Sequence, residues 1–327
     1  MEFRTKVPVQ EGFPKIEHTR AVFLIGSCFV ENIGAKLEWF KFPNLQNPTG
    51  IIFHPSPIRR FFQRLSNNDD YTDNDVIQFN EGWQSLEAHS CMRRESREEC
   101  LGDLNKSLQA SREFLGQASH VIISLGTAWG YIYEGSEEIV ANCHKIPQKR
   151  FRKELSPVNE IINDLEVIGH SISRINEEAK IIFTVSPVRH LKDGVVENQQ
   201  SKAHLITALQ EFLKNSGSGV YFPSYEIMMD ELRDYRFYTE DMLHPNKVAV
   251  DYIWKLFSHN WISEKSIEIS VEIEKIQKAL SHRSRAENSE DHKKFLTKIQ
   301  AKIEEIQKKY PEITFSQALL LLGLLIF

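Results

Sequence analysis

The stretch Ala21-Val-Phe-Leu-Ile-Gly-Ser-Cys-Phe-Val30 decides the fold of this chain. Its first five residues are all apolar, which is typical of a strand that is buried on both faces. Gly26 ends the run, and residues 30–40 then place apolar side chains at helical spacing. A buried strand followed at once by an amphipathic helix is the opening unit of a layered α/β domain.

The alternation of strands and helices continues to about residue 260. Further apolar runs predict strands at residues 50–53, 120–125, 131–133, 180–185 and 220–222. Helices are predicted between and after them at residues 58–65, 96–117, 156–176, 197–213 and 246–257. Strands that alternate with helices predict a parallel sheet with right-handed crossovers. We therefore expect one α/β domain over residues 1–260, with an insertion at about residues 131–155.

Residues 261–327 form a different kind of segment. They are rich in Glu, Lys and Ile, and they predict amphipathic helices at residues 266–282 and 291–309 without a further strand. We expect a helical C-terminal extension that docks on the sheet domain or joins copies of the chain as a homo-oligomer. The apolar run at residues 318–327 is shorter than the roughly 20 residues of a membrane-spanning helix. It predicts a docking helix, with an interfacial anchor or a truncated tail as alternatives.

Composition excludes several classes of function. Hydrophobic residues make up 41% and charged residues 26%, which is typical of a globular protein and not of a disordered or fibrous one. The 40 Lys and Arg against 45 Asp and Glu give a net charge of -5, so we expect no nucleic-acid partner. The four cysteines form no CxxC pair, which excludes a zinc ribbon and suits a reducing compartment. The first residues contain no apolar run of signal-peptide length, so we expect a cytoplasmic protein without a transmembrane span.

Two sets of residues near predicted strand ends could carry chemistry, since ligands of open α/β sheets bind beyond the carboxyl ends of the strands. Ser27 follows the first strand, where its hydroxyl and its N–H would suit a nucleophile and an oxyanion donor; the alternative is a helix cap. Asp241 and His244 precede the last helix of the domain, and their spacing lets the carboxylate hold the imidazole. The alternative there is a turn that starts the helix. Together the three residues favour a Ser-His-Asp hydrolase.

The segment Gly26-Ser-Cys-Phe-Val30 resembles the motif that names the GSCFA family, with Val30 in place of Ala. The resemblance covers about residues 1–260 and includes Asn47-Pro-Thr-Gly-Ile51, Leu125-Gly-Thr-Ala-Trp129, Asn142-Cys-His144, Thr184-Val-Ser-Pro-Val-Arg-His190 and Asp241-Met-Leu-His-Pro245. This family is similar to the SGNH, or GDSL-like, hydrolases, which implies a three-layer flavodoxin-like fold. The resemblance also implies Ser27 as the nucleophile, His244 as the base and Asp241 as the residue that orients the base.

The resemblance further implies an oxyanion hole, with the N–H of Ser27 as its first donor. Gly50 is the candidate for the glycine N–H that the superfamily supplies from its second block. The third block of the superfamily supplies an Asn side chain, but this chain reads Gly126-Thr-Ala at that place. Thr127, through its hydroxyl or its backbone, or Asn142, from the insertion, could supply the missing donor.

Polar and aromatic residues after other strands could bind the substrate; they are His144, Arg189, His190 and Trp129. Arg189 could hold an anionic group of the substrate or pair with Asp193 or Glu197, and the Trp129 ring could stack on a sugar or pack in the core. Cys28 is expected to pack behind Ser27, because one residue turns a helix by about 100°. The histidines lack metal-ligand spacing such as HExxH, so we expect no metal, and no cofactor is required.

These residues predict a Ser-His-Asp hydrolase that acts on a small-molecule or carbohydrate ester, for example an O-acetyl or other O-acyl group on a carbohydrate. The alternative is a non-catalytic binding protein that keeps the pocket of the fold for an acylated or glycan ligand. The absent third-block Asn favours the binding protein. The intact set of Ser27, Asp241 and His244 favours the enzyme, because a binding pocket needs no such set.

Overall fold

The computed structural model describes residues 4–281 and 290–315. The strands are β1 (Ala21–Gly26), β2 (Asn44–Gln46), β3 (Ile77–Phe79), β4 (Gly82–Gln84), β5 (Ala118–Leu125), β6 (Trp129–Tyr133), β7 (Phe151–Leu155), β8 (Lys180–Val185) and β9 (Val220–Tyr221). The helices are α1 (Cys28–Trp39), α2 (Pro55–Asn67), α3 (Arg97–Leu115), α4 (Val158–Ile175), α5 (Val195–Ser216), α6 (Ser224–Glu226), α7 (Lys247–Trp261), α8 (Glu264–Leu280) and α9 (Glu290–Lys309).

Five of the strands form a parallel sheet in the order β2-β1-β5-β8-β9. Counted within this sheet, the order is 2-1-3-4-5, which is the flavodoxin-like order, so the predicted fold class is confirmed. The chain leaves β1 for β2 on one side and continues with β5 on the other side. This reversal creates a crevice beyond the carboxyl ends of β1 and β5, where ligands of such sheets bind.

Separate apolar cores cover the two faces of the sheet. Phe23 and Ile25 of β1 pack on one face with side chains of α2, α3, α4 and α5. Val22 and Leu24 pack on the other face with side chains of α1 and α7. Because successive side chains of a strand point to opposite faces, burial on both faces explains the unbroken apolar run of β1. The result is the expected arrangement of three layers.

One predicted strand is wrong. Residues 50–53 do not form a strand, and the edge strand is β2, which ends at Gln46. Two of the three residues of β2 are polar, so no apolar run marks it. Residues 50–53 lie instead beside the end of β5, where the carbonyl oxygen of Phe53 accepts a hydrogen bond from the N–H of Gly126 at 2.8 Å. Ile52 is fully buried in this loop, which explains why the segment resembles a strand.

Two antiparallel hairpins are added to the sheet domain, β3 with β4 and β6 with β7. The second hairpin spans the region of the predicted insertion. Only its first strand is predicted from the sequence, because β7 reads Phe-Arg-Lys-Glu-Leu and its charged centre hides it from a search for apolar runs. The β6–β7 hairpin rises beside the carboxyl end of β5 and forms one wall of the site described below.

Helices α8 and α9 pack around an apolar core of their own, formed by Ile269, Ile273, Ile276, Leu296, Ile299, Ile303, Ile306, Ile313 and Phe315. They also contact the sheet domain. The Oγ of Ser266 accepts a hydrogen bond from the N–H of His18 at 3.3 Å, and the side-chain amide of Gln277 donates to the carbonyl oxygen of Trp39 at 3.0 Å. The division of the chain at residue 260 stays a prediction, and the apolar run at residues 318–327 lies outside the described residues. None of the helices in the described ranges is long and apolar enough to cross a membrane.

Candidate active site

The first strand ends in a tight corner at Gly26. Its φ of 144° lies in a region that other residues rarely adopt, and a Cβ there would clash with the carbonyl oxygen of Ser124. The N–H of Gly26 donates a hydrogen bond to Oδ1 of Asn47 at 2.9 Å. Since Ser124 belongs to β5 and Asn47 follows β2, the corner joins the carboxyl ends of three neighbouring strands.

Ser27 caps helix α1 and is almost completely buried, with 1% of its surface exposed. Its Oγ accepts a hydrogen bond from the N–H of Phe29 at 3.3 Å and lies 3.0 Å from the Oγ of Ser124. Its own N–H, expected to face an oxyanion, donates instead to the carbonyl oxygen of Ser124 at 3.0 Å. Both polar groups of Ser27 therefore have partners within the protein.

Cys28 is the first residue of α1, and the expectation that it packs behind Ser27 holds only in part. Its side chain is only partly buried, packs against the core under α1, and lines a cavity together with Ser27. The expected rotation of 100° applies between two helical residues, whereas Ser27 has an extended backbone with φ of -68° and ψ of 170°. Both side chains at the corner therefore border the same space.

Asp241 and His244 form a pair on the loop before α7. The Nδ1 of His244 lies 2.6 Å from Oδ2 of Asp241. The other carboxylate oxygen, Oδ1, accepts hydrogen bonds from the hydroxyl of Thr239 at 2.6 Å and from the N–H of Leu243 at 2.8 Å. These hydrogen bonds lower the pKa of Asp241, and the one from Thr239 has the largest effect. The carboxylate of Asp241 is therefore ionised at neutral pH. Asn246 caps α7 just beyond the pair, so the helix-initiating turn and the pair coexist.

A cavity of about 750 Å³ connects the corner with this pair. Ser27, Cys28 and His244 all line it, and its volume lies within the range of small-molecule sites. Aromatic side chains of the β6–β7 hairpin, namely Trp129, Tyr131 and Phe151, form part of its wall. Within the described part of the chain, His244 makes no hydrogen bond to Ser27 or Cys28.

The candidates for the oxyanion hole differ in their availability. The N–H of Gly50 donates to the carbonyl oxygen of Asn47 at 2.7 Å, and Gly50 does not line the cavity formed by the described residues. Thr127 lines the cavity, but its hydroxyl pairs with that of Ser201 at 2.8 Å. Asn142 lines the cavity and uses its Oδ1 to accept the N–H of His144 at 2.8 Å. Neither its Nδ2 nor the backbone N–H of Thr127 has a hydrogen-bond partner in the described ranges, so these are the two candidate donors with free capacity.

Three of the four candidate substrate-binding residues line the cavity, and His144 does not. The Nε2 of His144 is used within the protein, 2.7 Å from the carbonyl oxygen of Ser85. The guanidinium of Arg189 lies 5.8 Å from the centre of the Tyr238 ring. No ion pair joins Arg189 to Asp193 or Glu197 in the described structure, and Asp193 pairs with Lys153 at 2.6 Å.

The other two candidates, Trp129 and His190, also line the cavity. The Nζ of Lys153 lies 4.5 Å from the centre of the Trp129 ring, and the indole N–H donates to the carbonyl oxygen of Glu197 at 3.0 Å. Burial lowers the pKa of His190 to about 3, with smaller contributions from Lys202 and His244, so its imidazole is neutral at physiological pH. Its Nε2 is buried and has no hydrogen-bond partner among the described residues.

Sequence reasoning missed Lys202, which is 1% exposed beneath the site. Its Nζ donates hydrogen bonds to the carbonyl oxygens of Gly126 at 2.7 Å and Ser186 at 2.8 Å, the residues that follow β5 and β8. Burial lowers the pKa of Lys202 to about 7. A signal exists in the sequence, since Lys202 shares the helical spacing of the buried Leu205 and Leu209 on α5.

Comparison with known proteins identifies a family for this chain. The model of the GSCFA family matches residues 21–257, and the model of the GSCFA domain protein, C-terminal domain, matches residues 273–322. No curated protein matches the chain. Among solved structures, a carbohydrate esterase family 3 from Talaromyces cellulolyticus is similar at 9% identity and a TM-score of 0.37, covering 77% of this chain and 98% of that one. Within the described residues no three His, Cys, Asp or Glu side chains are grouped as metal ligands. Since the first family model spans more than half of the sequence and contains the strand corner and the Asp-His pair, the chain belongs to the GSCFA family.

Proposed function

We propose that this chain is a carboxylic-ester hydrolase whose base is the imidazole of His244, held by Asp241. The 2.6 Å contact between Nδ1 of His244 and Oδ2 of Asp241, beside a cavity that Ser27 and Cys28 also line, carries this proposal. A carboxylate that accepts the Nδ1 proton leaves Nε2 unprotonated, so that Nε2 can accept a proton from an attacking group. The ionised state of Asp241 at neutral pH supports this arrangement.

In the proposed reaction, a side chain at the strand corner gives its proton to Nε2 of His244 and attacks the carbonyl carbon of the ester. The carbonyl oxygen then gains negative charge, and the free Nδ2 of Asn142 and the free N–H of Thr127 are its candidate donors. His244 returns the proton to the leaving alcohol, and water releases the acid by the same steps. Ser27 and Cys28 are the two candidates for the attacking side chain.

The size of the cavity supports a substrate that is larger than a simple acetate ester. Its volume of about 750 Å³ far exceeds an acetyl group, so the alcohol part of the ester occupies most of it. Trp129 and Tyr131 offer ring faces on which a sugar could stack, and the neutral His190 offers a buried nitrogen without a partner. These features support an O-acyl carbohydrate as the substrate class.

A non-catalytic binding protein is the second candidate function. It is favoured by the hydrogen bonds of Ser27 and Gly50, whose N–H groups donate to carbonyl oxygens of the protein. Two of the expected oxyanion donors are therefore already occupied. In that case the same cavity would hold an acylated or glycan ligand without converting it.

The proposed function is tested by hydrolysis of 4-nitrophenyl acetate and 4-nitrophenyl butyrate. We expect saturable hydrolysis by the full chain and a loss of about 10²–10⁴-fold in kcat/KM for His244→Ala, the range of general acid-base catalysis. His259→Ala is the matched control, because His259 is exposed on α7 and lies outside the residues that line the cavity. A folded wild-type protein that hydrolyses neither ester faster than buffer would contradict the enzyme and favour the binding protein.

A further inference from the structure

The two side chains at the corner differ in how freely they can react. Ser27 and Cys28 both line the cavity that His244 also lines, but Ser27 is 1% exposed whereas Cys28 is partly exposed. A nucleophile must reach a bound carbonyl carbon and the base at the same time. Exposure to the cavity therefore favours Cys28.

The hydroxyl of Ser27 already has a structural task. It accepts the N–H of Phe29 at 3.3 Å, as the N-cap of α1, and lies 3.0 Å from the Oγ of the buried Ser124. An attack from this oxygen would compete with these two contacts. The contacts of Ser27 are those of a residue that fixes the corner and the start of α1.

The environment of Cys28 suits a thiol that loses its proton only when a base takes it. Burial is the largest influence and, with the carboxylate of Glu31, raises the pKa of Cys28. The N–H groups of Cys28 and Phe29 at the helix start, and the charge of the buried Lys202, act in the opposite direction. The thiol is therefore protonated at neutral pH, and the N–H groups of Cys28 and Phe29 can stabilise the thiolate once a base has removed the proton. This is the situation in which an adjacent imidazole base is needed.

From the exposure of Cys28, the hydrogen bonds of Ser27 and the cavity that Cys28 shares with His244, we infer that the Sγ of Cys28, and not the Oγ of Ser27, attacks the ester carbonyl. This inference rests on the proposed hydrolase function. Ser27 is then a positioning residue that caps α1 and holds Cys28 at the cavity. The task of the corner is then to present a thiol beside the Asp241–His244 pair.

The step balances with water as the second reactant. Nε2 of His244 takes the proton of the Cys28 thiol, the sulfur forms a bond to the carbonyl carbon, and one electron pair of the C=O bond moves to oxygen. When the C=O bond re-forms, the alcohol leaves with the proton from His244, and an acyl thioester remains on Cys28. Water then gives a proton to His244 and attacks the thioester. The acid is released, and the thiolate recovers its proton from His244.

The test compares the wild type with Cys28→Ala and Ser27→Ala on 4-nitrophenyl acetate, with folding checked by circular dichroism. We expect Cys28→Ala to lose about 10³-fold or more in kcat/KM, as removal of a nucleophile does. Folded Ser27→Ala is expected to keep more than about a tenth of the activity, since it loses a cap and not the reacting atom. Cys91→Ala is the matched control, because Cys91 is exposed and outside the residues that line the cavity, and its rate is expected to stay within about twofold of the wild type.

A second measurement does not depend on any variant folding. Wild-type protein is quenched with acid during turnover and digested, and the acetyl group is located by tandem mass spectrometry. We expect it on Cys28, with release by neutral hydroxylamine, as a thioester requires. An acetyl group on Ser27, or a Cys28→Ala protein as active as the wild type, would overturn the inference and leave the hydrolase standing. A folded wild type that shows neither hydrolysis nor an adduct would overturn the proposed function itself, and the inference with it.

Discussion

Asp241→Asn is the change that examines the proposed base most closely, because the geometry fixes which way the new amide would face. Oδ1 of Asp241 accepts hydrogen bonds from Thr239, Leu243 and the backbone of His244, whereas among the described residues Oδ2 has a single hydrogen-bond partner, Nδ1 of His244. An Asn side chain keeps three of these hydrogen bonds only if its oxygen takes the Oδ1 position. Its NH₂ group then faces Nδ1 of His244 and favours the tautomer that carries the proton on Nε2. That tautomer cannot act as the base.

The size of the effect follows from the exposure of the pair. The equivalent change in a serine protease, where the carboxylate is buried, lowers turnover by about 10⁴-fold. Here the side chains of Asp241 and His244 are 45% and 44% exposed, so water can partly replace the lost interaction. We expect a loss of about 10²-fold in kcat/KM, the low end of general-base effects.

The assay is hydrolysis of 4-nitrophenyl acetate by Asp241→Asn, with folding checked by circular dichroism and thermal melting. Asp234→Asn is the matched control, because Asp234 is a half-exposed carboxylate that accepts a backbone N–H in a neighbouring turn and lies outside the cavity-lining residues. The control is expected to keep the wild-type rate. A folded Asp241→Asn protein with the wild-type kcat/KM would refute the role of Asp241 in orienting His244.

Three further predictions concern the scaffold under the site. Gly26→Ala is expected to lower the free energy of unfolding by more than about 2 kcal/mol, because a Cβ would meet the Ser124 carbonyl oxygen. Gly135→Ala is the control and is expected to lower it less, because Gly135 also has a positive φ but has open space around it. Equal losses of the two variants in urea unfolding would contradict this prediction. The lowered pKa of Lys202 means that the unfolded chain, with a lysine pKa of about 10.4, binds more protons between about pH 7 and 10, so that this residue makes stability rise with pH in that window. Lys202→Met is expected to flatten that rise in urea unfolding at pH 7 and pH 9.5, and an unchanged slope would count against the assignment. A chain that ends after residue 262 is expected to melt at a lower temperature than the full chain, because α8 contacts the sheet domain through Ser266 and Gln277. A monomeric, fully active and equally stable fragment would show that α8 and α9 serve neither stability nor assembly.

Features set by neighbouring residues could be predicted from the sequence. The apolar run of β1, the break at Gly26 and the spacing of Asp241 and His244 are local, and the structure shows each of them as a strand, a corner and a hydrogen-bonded pair. The edge strand β2 was misplaced because its pairing with β1, and not an apolar pattern, makes it a strand. The local sequence pattern therefore predicts the buried strands of the sheet better than the edge strand β2.

Features set by distant residues could not be predicted. Ser27 meets Ser124 across 97 positions, and that contact decides how much of its hydroxyl remains for chemistry. Lys202 meets Gly126 across 76 positions, so its burial beneath the site depends on how α5 lies on the sheet. Spacing in the sequence identified a candidate corner, but tertiary contacts distinguish its two nucleophilic side chains.

The central claim is that His244 drives turnover of an ester at the strand corner, and the release of 4-nitrophenol after rapid mixing with excess 4-nitrophenyl acetate tests it most directly. The account predicts a burst of about one equivalent of 4-nitrophenol per chain as the acyl-enzyme forms, followed by slower steady turnover. The burst is expected to disappear in His244→Ala and to persist in His259→Ala. Release from folded wild-type protein that is no faster than from His244→Ala, with no burst in either, would contradict the account.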